Sequence, residues 1–339
     1  MRVRIVCYED VNAWILGKFA LRLRDGLEAL GVAIDIAKVP DMSAEINHHI
    51  IYYNYDGSKS TLDTVMITHI DSEMKRRMLK SQLVQAEMGI CTSLDTVIKL
   101  ASTGIPRSKL CYVNPGHDNV MKPRKLLLGI TSKVQPSGCK REFMLPQLAQ
   151  RMSLDDFEFR IMGAGWESIV NELTGMGVAV NYINHFDFDH YVEMMPNLDY
   201  YLYLGQDEGS MGFIDALAAG VPTIVTPQGF HLDAKDGISY AFNTVEELEQ
   251  ILSAIAEKRR KLTLAVASWT WSEYARKHLL VWNNLLNRKS GRSIPETLQD
   301  ELDSVGFTQT EPIANNWKAR QMHRIKDLAW RYLYPLFRE

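Results

Sequence analysis

The chain has 339 residues, enough for two α/β domains with substantial cores. A hydrophobic fraction of 46% and a charged fraction of 23% fit a soluble globular enzyme and exclude a low-complexity chain. The formal net charge of -3 excludes a global basic field of the kind that gathers nucleic acid. Cys7, Cys91, Cys111 and Cys139 are widely spaced, with no CxxC pair and no disulfide framework, which points to a reducing cytoplasm. The first strand begins almost at Met1, which leaves no room for a signal peptide. No apolar run reaches transmembrane length, and no fixed-period repeat appears.

Val3 to Cys7 reads as a buried strand. Asn12 to Leu30 carries Trp14, Leu16, Phe19, Leu23, Leu27 and Leu30 at helical spacing, and Gly31 stops it. Val32 to Ile36 is a second strand, so the chain opens β-α-β, the start of a doubly wound domain. Gly17 interrupts the helical pattern. The helix is therefore expected to begin near Gly17, with Glu9 to Leu16 as a loop at the strand's carboxyl end. That loop is either a ligand loop or a plain helix entry. Asn47-His48-His49 has no metal-ligand partner set and reads as surface. Ile50 to Tyr53 and Thr64 to Thr68 are strand candidates, and His69 follows the second. A lone His there is either structural or placed for chemistry. Met74 to Met88 and Leu94 to Ala101 read as helices, with strands at 89–92 and 110–113. The turn at Asn114 to Asp118 precedes the expected domain boundary at 117–125.

Lys125 to Ile130 starts a second α/β unit. Its loop, Thr131 to Glu142, places Lys133, Lys140 and Arg141 around Pro136-Ser137-Gly138 before a helix at 143–151. Cations on such a loop suit a diphosphate, and they equally suit a solvated surface. Phe159 to Met162 is a strand followed by Gly163-Ala164-Gly165, a turn rather than a dinucleotide fingerprint. Val178 to Ile183 is the next strand. Asp187-Phe188-Asp189 has the form of a metal-binding pair, but either Asp makes a good N-cap for the helix that follows, and the cap is preferred.

Tyr200 to Leu204 is a buried strand, and Thr223 to Thr226 another. Between them lies DEGSMGFIDALAAGVP, residues 207–222, with apolar residues at helical spacing from Met211 to Ala218. Gly209 and Gly212 open this helix and Gly220 closes it. A helix opened by a glycine turn presents free N–H groups and the positive end of its dipole. Gly209, Ser210, Met211 and Gly212 are the candidate phosphate-binding residues. Asp215 on the early helix could take a ribose diol, and Asp207 or Glu208 a sugar hydroxyl. A structural helix whose early acids offset its dipole is the alternative. Gln228, Gly229 and His231 could edge the pocket on position alone. Val245 to Ala256 is a helix with Thr244 as cap and Glu247 three residues later. Leu262 to Leu286 is mainly helical, 290–316 reads as a linker, and 317–337 as a basic amphipathic helix.

The stretch 207–222 resembles the donor-site motif of the retaining glycosyltransferases of family 4, whose GT-B fold joins two Rossmann-like domains across a cleft. Asp207 and Asp215 match that family's two acids and Gly220-Val221-Pro222 its turn, although both acids are Asp where Glu is usual. The resemblance implies an acceptor domain at 1–120 and a donor domain at 121–289, followed by a linker at 290–316 and a C-terminal helix at 317–339. It implies that Lys133 and Lys140 meet the leaving diphosphate, with Arg141 as rival to Lys140. It places His69 in the acceptor cleft, and Gly17 and Gly163 near the donor.

It further implies a nucleotide-sugar donor, retention and no metal or other cofactor. The partners are then the nucleotide-sugar and an acceptor, with a membrane surface open to the 317–339 helix. A nucleotide-sugar 2-epimerase and a non-catalytic glycosyltransferase-like subunit are the alternatives. The base, sugar, acceptor and oligomeric state are not written in the sequence.

Overall fold

The computed structural model describes residues 1–57, 62–292 and 299–306. The described residues form two compact units, one of those within Met1–Asn119 together with those from Trp269 to Gly306, the other of Val120–Ser268.

The first unit runs β1 (Arg2–Val6), α1 (Ile15–Ala29), β2 (Ala33–Ala37), β3 (Ile46–His49), β4 (Asp63–Ile67), α2 (Glu73–Gln85), β5 (Met88–Cys91), α3 (Leu94–Ser102) and β6 (Leu110–Tyr112). All six strands are parallel, in the order β2-β1-β3-β4-β5-β6. A parallel sheet covered on both faces is buried, and β3, β4 and β5 at its centre are buried along their whole length. Val3, Ile5, Ile46, Met66, Met88 and Ile90 join one core with Leu23 and Leu27 of α1. Ser72 and Ser93 cap α2 and α3 with their hydroxyls.

The second unit repeats the plan. It runs β7 (Leu126–Thr131), α4 (Met144–Arg151), β8 (Phe157–Met162), α5 (Glu167–Gly175), β9 (Ala179–Ile183), α6 (Phe188–Met194), β10 (Tyr200–Tyr203), α7 (Met211–Ala218), β11 (Thr223–Val225), β12 (Tyr240–Ala241) and α8 (Val245–Leu264). Its sheet is also parallel, in the order β12-β11-β10-β7-β8-β9. Each unit is thus a Rossmann-like, doubly wound α/β domain, as the sequence reading expected. Thr244 and Glu247 complete the expected capping box of α8. After α8 the chain continues in α9 (Trp271–Lys289) and α10 (Gln299–Ser304).

Three details differ from the sequence reading. α1 begins at Ile15, ahead of Gly17, which is the third helical residue, buried against the Val11 backbone. The strand expected at 50–53 lies earlier, at Ile46–His49, and Asn47, His48 and His49 are fully buried in it rather than on the surface. Part of their polar surface is met inside: Asn47 bonds the Asp41 backbone, His48 Nδ1 bonds Thr64, and His49 Nδ1 bonds the Tyr8 hydroxyl, while both Nε2 atoms are buried without a hydrogen bond among the described residues. α9, grouped in the sequence reading with the donor domain, packs on α1 in the first unit. There the Trp271 ring meets Phe19 edge-on and Gly26 lets Ala275 approach. The amphipathic helix expected at 317–337 lies outside the described residues. Among the described residues no helix is long and apolar enough to cross a membrane.

Candidate functional site

In the second unit β7 lies between β8 and β10. The chain winds one way from β7 to β9 and the other way from β10 to β12, so the carboxyl ends of β7 and β10 form the topological switch point. Open α/β sheets leave their ligand crevice there. The loop 132–143 follows β7 and the turn 204–210 follows β10. The two are tied together by the Gln206 N–H on the Cys139 carbonyl at 2.7 Å.

Lys140 and Asp207 meet at this point, with the Lys140 ammonium on Asp207 Oδ2 and, at 2.7 Å, on the Tyr203 hydroxyl. Tyr203 is the last residue of β10, and its hydroxyl lies 2.7 and 2.8 Å from the two Asp207 oxygens. The Gly209 N–H also donates to Asp207 Oδ1, at 3.0 Å. Burial opposes the charge on Asp207, but the Lys140, Tyr203 and Gly209 hydrogen bonds outweigh it and hold the carboxyl below its ordinary range. Burial, then the Asp207 charge, pushes the Tyr203 phenol far up, so it remains a donor. Lys140 is largely enclosed, with 14% of its side chain exposed.

Gly209 to Gly212 do not all present free N–H groups, which corrects the sequence reading. The Gly209 N–H is held by Asp207, and the Ser210 N–H donates to His231 Nε2 at 2.9 Å. Ser210 is the buried N-cap residue of α7, with its hydroxyl 2.6 Å from that of Tyr201. Met211 and Gly212 open α7 proper, and first-turn N–H groups have no carbonyl partner within a helix. Gly212 is required by close approach: a Cβ would run into the Thr131 and Tyr201 hydroxyls. Gly209 and Gly163 both have positive φ, 118° and 136°. At Gly163 a Cβ would strike the Ser132 carbonyl, next to Lys133.

The other candidates divide. Lys133 is exposed and its ammonium has no partner among the described residues. Glu208 is likewise exposed and unengaged by its side chain. Asp215 is half-buried, and its Oδ2 accepts from the Tyr191 hydroxyl at 2.5 Å. Arg141, at φ 49°, donates to the carbonyls of Leu204 and Asn243 at 2.6 and 2.7 Å, which makes it an anchor of the loop. Asp187 is the N-cap of α6, accepting the His190 N–H at 3.0 Å. Among the described residues no three His, Cys, Asp or Glu side chains gather as a metal site would need. Gly17 and His69 belong to the first unit. His69 follows β4, 74% exposed, with Nδ1 3.3 Å from the Thr68 hydroxyl and Nε2 3.8 Å from Asp71.

Gln228 and His231 were placed at the pocket by position alone, but the structure uses them to hold the turn. Gln228 accepts the Asp207 N–H at 2.9 Å and donates to the Gly205 carbonyl at 2.6 Å. Tyr203 and Tyr191 were missed as partners of the two acids. The only sequence signal for Tyr203 was its place at the end of a strand four residues before Asp207.

A groove of about 540 Å³ on the second unit runs along Arg160, Asn181, His185, His190 and Met194. It includes none of the residues of the 204–212 turn, and its charges are of both signs. The convergent polar groups at the switch point are the better guide to chemistry.

No family model matches the chain, and no curated protein matches it. Solved structures align along most of its length. The chain is similar to Anabaena Alr3699/HepE, solved with UDP and glucose, at 11% identity over 90% of this chain and 100% of that one, with a TM-score of 0.33. The lipopolysaccharide outer core galactosyltransferase WaaB aligns at 12% identity over 85% of this chain and 100% of its own, with a TM-score of 0.34. WaaG, a glycosyltransferase of lipopolysaccharide biosynthesis, aligns at 13% identity over 81% and 94%, with a TM-score of 0.33. Likeness at this level carries no functional argument, which rests on the residues of the site.

Proposed function

We propose that the second unit binds a nucleotide-sugar and that the chain transfers its sugar to an acceptor hydroxyl, with retention and without a metal ion. The observation that supports this reading is the Lys140–Asp207–Tyr203 cluster at the carboxyl ends of β7 and β10, beside the opening of α7. An ammonium has three N–H donors. Asp207 and Tyr203 take two of those on Lys140, which leaves one for a phosphate oxygen.

The sugar C1–O bond breaks as negative charge grows on the departing diphosphate, and the acceptor oxygen bonds to C1. The hydroxyl proton of the acceptor leaves with the diphosphate. Lys140, Lys133 and the Met211 and Gly212 N–H groups face that growing charge, the task a metal ion performs elsewhere. Asp207 orients Lys140, and Glu208, whose carboxylate is unengaged, meets a sugar hydroxyl. Asp215 takes the ribose diol on Oδ1 while Tyr191 holds Oδ2. His69 and Gly17 belong to this reading as residues of the acceptor unit. The transfer fits a hexosyltransferase of family 4 acting in the cytoplasm.

The test is nucleotide binding by Asp215→Ala. Hydrogen bonds to a charged group contribute about 1.5–3 kcal/mol, so the best of UDP, GDP, dTDP and ADP should bind about tenfold to a hundredfold more weakly. Unchanged affinity in a folded Asp215→Ala variant contradicts the ribose assignment. The same Lys140–Asp207 pair would also suit a non-catalytic subunit, which would bind nucleotide and turn over nothing.

A further inference from the structure

His231 is fully buried, and both of its ring nitrogens are engaged. Nδ1 lies 3.1 Å from the Thr226 carbonyl, which can only accept, so Nδ1 carries the proton. Nε2 lies 2.9 Å from the Ser210 N–H, which can only donate, so Nε2 is the bare acceptor. The two contacts admit one state, the neutral imidazole in a single tautomer. The ring is clamped there by Phe213 at 4.2 Å between centroids, with Phe230 and Tyr203 edge-on at 5.4 and 5.5 Å. Gly209 stands so close that a Cβ would meet the His231 ring.

The bond to Ser210 fixes the N-cap residue of α7 and thereby the direction of the Met211 and Gly212 N–H groups. A proton on Nε2 would set two donors face to face across 2.9 Å in a dry site, and the turn would have to move. Burial lowers the affinity of His231 for that proton, partly offset by the Thr226 carbonyl and the Asp207 charge. The titratable groups around the ring are Asp207 in the turn and Tyr203 on β10, with Lys140 bound to both. The first turn of α7 carries no acid that could compensate an imidazolium.

We infer that His231 is the positioning residue of the diphosphate site, and that the site binds its nucleotide only while His231 is neutral. This deepens the donor-site reading above and rests on it. The sign follows from the direction of proton uptake: the competent form is the deprotonated one, and burial holds the ring below the ordinary histidine value, so affinity is full at 6.5 and above and is lost as pH falls through that lowered value. Acidification would then release the donor with no effector other than the proton.

The experiment is calorimetric titration of the whole chain with UDP, GDP, dTDP and ADP at pH 7.5, then of the tightest of them down to pH 5. The nucleotide's terminal phosphate also takes up a proton near pH 6, so wild type must be compared with a variant that cannot titrate. Gln can offer a neutral oxygen to Ser210, and Leu cannot. His231→Leu should bind at least tenfold more weakly at pH 7.5, and His231→Gln should recover most of that loss. As the pH falls from 7.5 to 5 the wild type should lose affinity that His231→Gln keeps. Superimposable pH profiles for the two, or a His231→Leu variant that binds like wild type, would overturn the inference and leave the donor site standing. Failure of all four nucleotides to bind the folded wild type at pH 7.5 would overturn the donor site and this inference together.

Discussion

Lys140 and Arg141 are adjacent, and their surroundings give them different work. The Lys140 ammonium sits among Asp207 and Tyr203, whereas the Arg141 guanidinium joins two backbone carbonyls. One electrostatic donor removed from a preorganised site costs about 2.7–4 kcal/mol in the barrier. Lys140→Ala should therefore lose about a hundredfold or more in turnover at saturating donor. Arg141→Ala should leave the barrier nearer normal and lower thermal stability instead, because the Leu204 and Asn243 carbonyls lose their donors. Initial rates and melting curves for the two variants side by side decide the matter. A crippled Arg141→Ala beside a normal Lys140→Ala would put the phosphate contact one residue later. The acids divide in the same way: Glu208→Gln should impair use of the sugar, and Asp207→Asn should act by loosening Lys140. The residue types were legible because acids, lysines and glycines at these spacings have few shared uses. The engagement of Asp207 was not legible, because Tyr203 and Lys140 reach it through the fold.

Among the elements, those with apolar periodicity were the ones read correctly. β10, α7 and β11 carry continuous or helical apolar patterns, and Asp187 and Thr244 mark their helices with cap chemistry. β3 departs from the sequence reading because Asn47-His48-His49 looks solvated, and the partners that lower the cost of its burial, among them the Asp41 backbone, Thr64 and Tyr8, come from elsewhere in the fold. α9 was grouped with the wrong unit because sequence order does not show a chain returning to its first sheet. Its packing on α1 depends on Gly26, where a Cβ would lie 2.6 Å from that of Ala275. Gly26→Val should destabilise the first unit by about 1–3 kcal/mol through overpacking. Urea unfolding checks this, and an unchanged midpoint would show that the contact yields easily.

At the scale of the whole molecule, acid should weaken the first unit through its buried histidines. His48 and His278 are both fully buried, with ring centroids 5.1 Å apart. Burial lowers the His48 value well below 6.5, and burial holds His278 down to about 4. Both are neutral in the fold and take up protons in the unfolded chain. Stability is therefore complete above 6.5 and is lost as pH falls from there towards 4. Each contributes a slope of about 1.4 kcal/mol per pH unit in that window. Melting temperature measured from pH 7.5 to 5 should fall, and His278→Gln should flatten the fall. A flat wild-type profile would mean that these rings find room to ionise.

The central claim is that the crevice at the ends of β7 and β10 is a diphosphate site. Its most direct test is calorimetric titration of the whole chain, in EDTA, with UDP, GDP, dTDP and ADP. The account predicts that at least one binds without added metal. It also predicts that Lys140→Ala and Asp215→Ala each weaken that binding in a folded protein. Binding that appears only with a divalent ion, or survives both substitutions unchanged, would contradict it, as would four nucleotides that leave the folded chain silent.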